Sequence, residues 1–375
     1  MAIDSKTIGL ALSGGGFRAT LFGLGSVWRL NEAGLLGKLD RITSVSGGSI
    51  LAGVLAHRWF DLKFQSGHAK NFEQVIVQPI REFCSQTIPI DISTAIIGHL
   101  VPFKTSGDFL ADRYRKDLKF GETTLHYLPD PSEEGNPKFI FYATNLQTGR
   151  SLRFCRDYVA DYYLGMSRKT SSEVTLAKAV AASSAFPPIF SPVVIESDPA
   201  SWENPHKPLS NLEKLRRRIV LADGGVYDNM GLQTLLKKVD IILVSDAGKP
   251  FEIDESPFED DLLQLNRVSD ILIDQCRGLR QEWLVTDFIE GRKHGGYWGI
   301  DTDIDKYNDS KALIKHNDIT KGLASIPTRL NKFEKEEQGR LINWGYALAD
   351  VALRTRAKLP IEAPKGWPVP DVAMS

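Results

Sequence analysis

The sequence predicts an α/β fold around a mostly parallel sheet, and three observations carry the prediction. Between residues 7 and 59, short apolar runs alternate with stretches of helical spacing. Both runs end in a glycine turn that opens the next helix. The first glycine turn and the second lie about 30 residues apart, the length of one strand–helix–strand unit. Two strands joined through a helix must run parallel.

Thr7–Ser13 is apolar and ends in Gly14-Gly15-Gly16, so it reads as a buried strand. From Phe17 to Ala33, Leu21, Leu24, Val27, Trp28 and Leu30 fall at helical spacing, and Gly34 is a stop signal. Arg41–Val45 is short and β-branched. Ser46-Gly47-Gly48 follows, and Ile50, Leu51, Val54, Leu55 and Trp59 then mark a second helix. Further on, Lys138–Ala143 reads as a strand, Asn145–Gly149 as a turn and Ser151–Phe154 as its hairpin partner. Thr175–Ser183 reads as an alanine-rich helix stopped by Phe186-Pro187-Pro188. Arg218–Ala222 and Val239–Ser245 are further strands, ending in Asp223-Gly224-Gly225 and Asp246-Ala247-Gly248. Residues 251–261 read as an acidic surface loop. Two later helix faces, Val268, Ile271, Leu272, Gln275, Leu279 and Trp283, and Leu341, Trp344, Leu348, Val351 and Ala352, are expected to pack into the core. The expected organisation is one catalytic domain over residues 1–355, with insertions near 60–138 and 196–213. A tail follows over 356–375, where Pro360, Pro364, Pro368 and Pro370 exclude helix.

Composition narrows the function. Among 375 residues, 46 Lys and Arg stand against 47 Asp and Glu, a formal charge of −1, which gives no support to nucleic-acid binding. A hydrophobic share of 42% excludes dominant disorder. Cys84, Cys155 and Cys276 are odd in number and far apart, which points to a reducing compartment. The N-terminus lacks a signal-peptide layout and no apolar run is long enough to span a membrane, so a cytoplasmic location is expected, with room for transient contact at a membrane surface. Oligomeric state stays open. No histidine, cysteine and carboxylate cluster has metal-ligand spacing, so neither a metal nor a cofactor is expected.

Three constellations carry chemistry. Ser44-Val45-Ser46-Gly47-Gly48 sits where a strand turns sharply into a helix, which exposes a nucleophilic serine and aims a helix N-terminus at it. Ser44 stands where the stricter G-x-S-x-G pattern has glycine, and Gly48 keeps the small residue on the other side. Gly14-Gly15-Gly16-Phe17-Arg18 offers unobstructed backbone amides to an anion or a tetrahedral oxyanion. Gly14-x-Gly16-x-x-Ala19 also fits a dinucleotide fingerprint. That reading wants an acidic residue about 20 residues on, at the end of the second strand. Asp40 precedes that strand and Val45-Ser46 ends it. Asp223-Gly224-Gly225 places a carboxylate at a strand end, where a desolvated aspartate can act as a base. The seven histidines (His57, His68, His99, His126, His206, His294 and His316) have no recognisable partner, and a Ser-Asp-His order would select His294 or His316.

Taken together, the glycine triplet with Arg18, the serine turn, Ala182-Ser183-Ser184-Ala185-Phe186-Pro187-Pro188 and Asp223-Gly224-Gly225 resemble the patatin-like phospholipase family, in the family's order over residues 7–248. The resemblance implies a three-layer α/β/α sandwich and a Ser–Asp dyad that dispenses with histidine. It implies Ser46 as nucleophile, Asp223 as base and Gly14, Gly15 and Gly16 as oxyanion hole, with Arg18, Gly48 and Gly225 in support. Ala19 stands for a common glycine. The function implied is a serine lipid acyl hydrolase acting on glycerophospholipids or related acyl esters. The rivals are an acyltransferase or thioesterase using the same serine, and a nucleotide-binding module using the glycine loop. The apolar segment 88–103 is the candidate for an acyl-pocket wall or lid.

Overall fold

Ten strands form the main sheet in the computed structural model, which describes residues 6–88, 105–207, 209–257 and 261–375. They are β1 (Ile8–Leu12), β2 (Arg41–Ser44), β3 (Lys138–Asn145), β4 (Arg150–Phe154), β5 (Val159–Asp161), β6 (Gly165–Ser167), β7 (Val193–Glu196), β8 (Arg218–Asp223), β9 (Ile241–Asp246) and β10 (His294–Gly299). The longer helices are α1 (Gly16–Glu32), α2 (Gly47–His57), α3 (Gln78–Cys84), α4 (Ser106–Asp117), α5 (Leu176–Ser184), α6 (Asp261–Ile289), α7 (Asp318–Ala324) and α8 (Lys335–Thr355).

The sheet runs β10-β9-β1-β2-β3 in parallel through its centre. Beyond β3 it continues antiparallel through β4, β5 and β6, while β8 and β7 join from the other side of β3. The parallel part contains the strand–helix–strand order read from the sequence. The antiparallel part starts at the hairpin expected after residue 145.

Alternate residues of β1 explain the layers. Ile8, Leu10 and Leu12 pack in the large core with Leu21, Leu348 and Val351, whereas Ala11 packs with Leu232, Leu235, Val239 and Leu284 on the other side. Successive strand residues point to opposite faces, so a strand buried along its whole length must be covered twice. The result is a three-layer α/β/α fold.

The two later helix faces differ. Leu341, Trp344, Leu348, Val351 and Ala352 of α8 are buried, and the Trp344 indole donates to the Ile300 carbonyl at 2.7 Å. The face of α6 is not core. Leu272 is 61% exposed and Leu279 64%, and Val268, Ile271 and Trp283 are exposed as well. The physical reason lies on the opposite stripe, where Arg277, Leu284 and Asp287 make the buried contacts. Helical spacing identifies an apolar stripe but not which stripe the sheet covers. Strands β5, β6, β7 and β10 are also absent from the sequence-based reading. β10 (HGGYWG) is rich in glycine, which strands disfavour. The tail after residue 356 packs against α8, where the Asn343 side chain exchanges two hydrogen bonds with the Val369 backbone at 2.9 and 3.0 Å. Of the expected acyl-pocket segment 88–103, all but Ile88 lies outside the described residues.

Candidate active site

The register of β3 brings the serine turn and the aspartate together. One edge of β3 is taken by β4. The other edge is shared: β2 runs along its first half, ending with Ser44 opposite Phe141, and β8 enters from the far end, closing with Asp223 opposite Ala143. Two strands therefore meet head-on, two residues apart along a third. Ser46 follows one strand end by two residues and Asp223 is the last residue of the other. Residues separated by almost half the chain come to line one cleft, with the Ser46 hydroxyl near enough to the Asp223 carboxylate to favour its charged form.

Ser46 has φ 52° and ψ −120°, a positive φ that is uncommon for a residue with a side chain. The surroundings hold it there. Its amide donates to both the carbonyl and the hydroxyl oxygen of Ser183, each at 3.1 Å. The Ser183 carbonyl also accepts from Gly224 at 3.1 Å, and the Ala185 carbonyl accepts from the Asp223 amide at 2.9 Å. The end of α5 thus clamps both turns. Behind the nucleophile, Ser44 is accommodated in a hydroxyl chain. Ser49 bridges Ser44 at 2.9 Å and Ser183 at 2.8 Å, so serine at the position of the usual glycine is stabilised by partners.

The glycine loop interlocks with this turn. A Cβ on Gly48 would collide with the Leu12 carbonyl oxygen, and the Gly48 amide donates to Ser13 at 3.1 Å. Gly16 opens α1 with φ 56°, a left-handed conformation that suits glycine. Gly14 differs from the expectation. Its amide is taken by the Asn229 carbonyl at 3.0 Å, so it is not offered to a ligand. The amides of Gly15 and Gly16 make no hydrogen bond among the described residues, as first-turn donors of a helix do when nothing caps them. Arg18 is fully buried behind the loop and donates to the carbonyls of Ala247 and Ile326. Burial, reinforced by the charge of Arg277, pulls its pKa down to about 10. Arg18 braces loops and does not reach Ser46. Gly225 donates its amide to Asp223 Oδ1 at 2.7 Å.

Electrostatically, Asp223 is 2% exposed and Ser46 9%. Burial pushes the Asp223 carboxyl up to about 7, although the Gly225 amide and the Ser46 hydroxyl both favour its charged form. A carboxylate poised near neutral pH suits general-base work. The site opens into a cleft of about 430 Å³ lined by Gly15, Ser46, Asp223 and Asn229 on one side and by residues of α6 on the other, with Phe186 and Phe251 among its apolar surfaces. His294 pairs with Ile241, at the opposite end of β9 from Asp246 and Gly248, about 17 Å away at the rise of a strand. His316 is hydrogen-bonded to Thr320 and lines no part of the cleft. His99 lies outside the described residues.

Three further residues belong to the site. Ser183 lies in the Ala-Ser-Ser-Ala-Phe-Pro-Pro block, and small polar residues before that stop were its only signal. Asn229 packs against Gly14 and Gly225 and follows the aspartate turn by a few residues. Arg277 sits in a helix whose spacing advertises the opposite stripe.

These features point to the patatin-like class of lipid hydrolases. A family profile for patatin-like phospholipases matches residues 10–236, and the chain belongs to that family. No curated protein matches the sequence. Among solved structures, human GIVD cytosolic phospholipase A2 is similar over 96% of this chain and 61% of its own, with a TM-score of 0.51 and 13% identity. The same human protein in complex with methyl gamma-linolenyl fluorophosphonate is similar over 94% and 59%, with a TM-score of 0.52 and 16% identity. The chain spans about three-fifths of the length of these structures, and the likeness is one of fold. Membership of the family supports a lipid hydrolase.

Proposed function

We propose that the protein is a serine lipid acyl hydrolase, of phospholipase A type, working through a Ser46–Asp223 dyad. The Asp223 carboxylate accepts the Ser46 proton while Oγ bonds to the carbonyl carbon of a fatty-acyl ester. The amides of Gly15 and Gly16 take the oxyanion, helped by the N-terminus of α2. The carbon–oxygen bond to the alcohol breaks, the alcohol leaves with the proton held by Asp223, and an acyl-enzyme remains. Water, deprotonated by Asp223, then releases the fatty acid and restores Ser46. No histidine takes part.

The observation that carries this reading is the meeting of two strand ends, which puts Ser46, held in a strained turn, in one cleft with the buried Asp223 carboxylate, whose pKa is raised to about 7. We place residues 1–355 in one catalytic domain, because β9 and β10 extend the same sheet as β1. A cytoplasmic setting with transient membrane contact belongs to the same reading. It is supported by the three unpaired cysteines and by the apolar outer face of α6, the back of the cleft wall. The test is covalent. A fluorophosphonate should label the wild type and not Ser46→Ala, which should also lose ester hydrolysis while keeping its fold. Equal labelling of the variant at another serine would remove the nucleophile assignment.

A further inference from the structure

Asn229 stands against both members of the dyad, and the steps above leave its side chain unused. It closes the short helix Gly225–Asp228 after the aspartate turn, and its backbone carbonyl is spent on the Gly14 amide at 3.0 Å. The carboxamide makes no hydrogen bond to any described residue. The residue is half-buried and lines the cleft with Ser46, Asp223 and Gly225, and its polar atoms stay open to solvent.

Two bare glycine carbons bring these groups together. A Cβ on Gly14 would lie 2.3 Å from Asn229 Oδ1 and 3.0 Å from the Ser46 Cβ. A Cβ on Gly225 would lie 2.7 Å from Asn229 Oδ1 and 3.1 Å from Asp223 Oδ1. The amide oxygen therefore adjoins the nucleophile across one glycine and the base across the other. It is near enough to the base for one water to reach both oxygens. The Nδ2 end points away, toward Gly248, and Arg277 beyond that residue is neutralised by Asp246 at 2.8 Å. Once Asp223 is ionised, two oxygens that can only accept stand side by side. A molecule with two O–H donors on one oxygen satisfies both at once. Water has two; an alcohol has one.

Resting on the acyl-enzyme of the proposed function, we propose that Asn229 is a catalytic residue of deacylation that selects water over alcohols as the acyl acceptor. One O–H of the water gives its proton to Asp223 as the oxygen bonds to the acyl carbon. The other O–H stays intact and donates to Asn229 Oδ1. The tetrahedral adduct then collapses. The bond from carbon to Ser46 Oγ breaks, Oγ takes the proton from Asp223, and the fatty acid leaves. An alcohol gives its only proton to Asp223 and carries carbon where water carries the second hydrogen, so Asn229 Oδ1 gains no bond. Alcoholysis of the acyl-enzyme also retraces acylation by an ester, step for step in reverse. Asn229 therefore assists neither of those, and its hydrogen bond lowers the barrier to hydrolysis alone. A serine turn that serves hydrolysis and acyl transfer equally is biased toward hydrolysis by this one side chain.

The test reads two products from one acyl-enzyme. The full chain receives p-nitrophenyl butyrate in buffer with a fixed share of methanol, and enzyme-dependent butyric acid and methyl butyrate are measured. Asn229→Leu keeps the branched shape but removes the acceptor, and should lower the ratio of acid to methyl ester by roughly tenfold. The ratio is set within each acyl-enzyme molecule, so a smaller folded fraction does not alter it. Asn229→Ala gives a second reading should leucine crowd Gly14. In the absence of methanol, the variants should release a burst of about one nitrophenol per active site before a slowed steady state. Fluorophosphonate labelling of Ser46, which needs no water, should fall much less than hydrolysis. An unchanged ratio in both variants would overturn the proposal. If labelling and hydrolysis also fall together at that unchanged ratio, Asn229 serves the oxyanion hole or packing instead. A wild type that forms no acid would defeat the hydrolase reading and the proposal together. A wild type that hydrolyses, beside variants of unchanged ratio, would defeat the proposal alone.

Discussion

The two sides of the cleft are built by different means. The side from the family-matched segment is fixed by backbone: Ser183 O accepts from both Ser46 and Gly224, Asn229 O from Gly14, and Ser13 O from Gly48. The α6 side meets the cleft through side chains, with Arg277 anchored to Asp246 and Arg267 to the Glu252 carbonyl at 2.7 Å, and its outer face is bare. Backbone contacts of that kind leave no room for added atoms, so the first side holds reacting groups to sub-ångström tolerance. A wall of side chains can be altered without moving the nucleophile. We read the first side as chemistry and the second as selection and access. Substitutions on the two sides should then differ in kind as well as in size.

The largest effect is expected at Asp223. Asp223→Asn keeps the shape of the side chain but cannot take the Ser46 proton, so activity should fall by roughly ten-thousandfold or more. His294→Ala and His316→Ala should retain most of it. Wild-type activity should rise with pH through about 7, as the Asp223 carboxyl ionises. Stability should move the other way. The folded state holds the Asp223 proton up to about 7, while the unfolded chain releases it near the ordinary carboxylate value of 3.8. Across that window the native state binds more protons, and stability declines by about 1.4 kcal/mol per pH unit from this group. Asp223→Asn should flatten this slope in thermal melts and stabilise the protein at pH 8. An inactive His variant beside an active Asp223→Asn would replace the dyad with a triad.

A smaller effect, still on the backbone-built side, is expected at Ser183. Ser183→Ala removes the hydroxyl that accepts from the Ser46 amide and pairs with Ser49, but leaves the Ser183 carbonyl in place. The turn loses one of two restraints on its strained serine. We expect a roughly tenfold drop in kcat with KM unchanged, and a parallel drop in the fluorophosphonate labelling rate. A change confined to KM would mean that the clamp on this side serves binding and would blur the contrast with α6.

Much of the backbone-built side was legible in the sequence, because glycine, serine and proline at strand ends are local signals. Gly14–Gly16, Ser46-Gly47-Gly48 and Asp223-Gly224-Gly225 each mark a turn that tight packing requires. What no local signal gives is which amide is already occupied. Gly14 is taken by Asn229, a contact between segments more than 200 residues apart. The antiparallel strands β5 and β6 are only three residues each, too short for a period of two to show. The α6 side was misread for a related reason. Val268, Leu272 and Leu279 form an apolar stripe, and its destination depends on Leu284 and Arg277, which already occupy the sheet-facing side.

The smallest effect on the folded molecule is expected on that outer stripe. Leu272 and Leu279 are solvent-exposed, so Leu272→Gln with Leu279→Gln should shift stability by no more than about 0.5 kcal/mol for each change. A leucine that enters the headgroup boundary of a bilayer contributes far more, about 0.8 kcal/mol for each buried methylene. The double variant should therefore pellet with phosphatidylcholine vesicles at least about tenfold more weakly than the wild type while melting at nearly the same temperature. Ser46→Ala in the background keeps lipid turnover from disturbing the vesicles. A loss of several kcal/mol in stability, with a change of oligomeric state on sizing, would show that the stripe is covered by a second copy. The contrast between a closed chemical side and an open access side would then have to be redrawn.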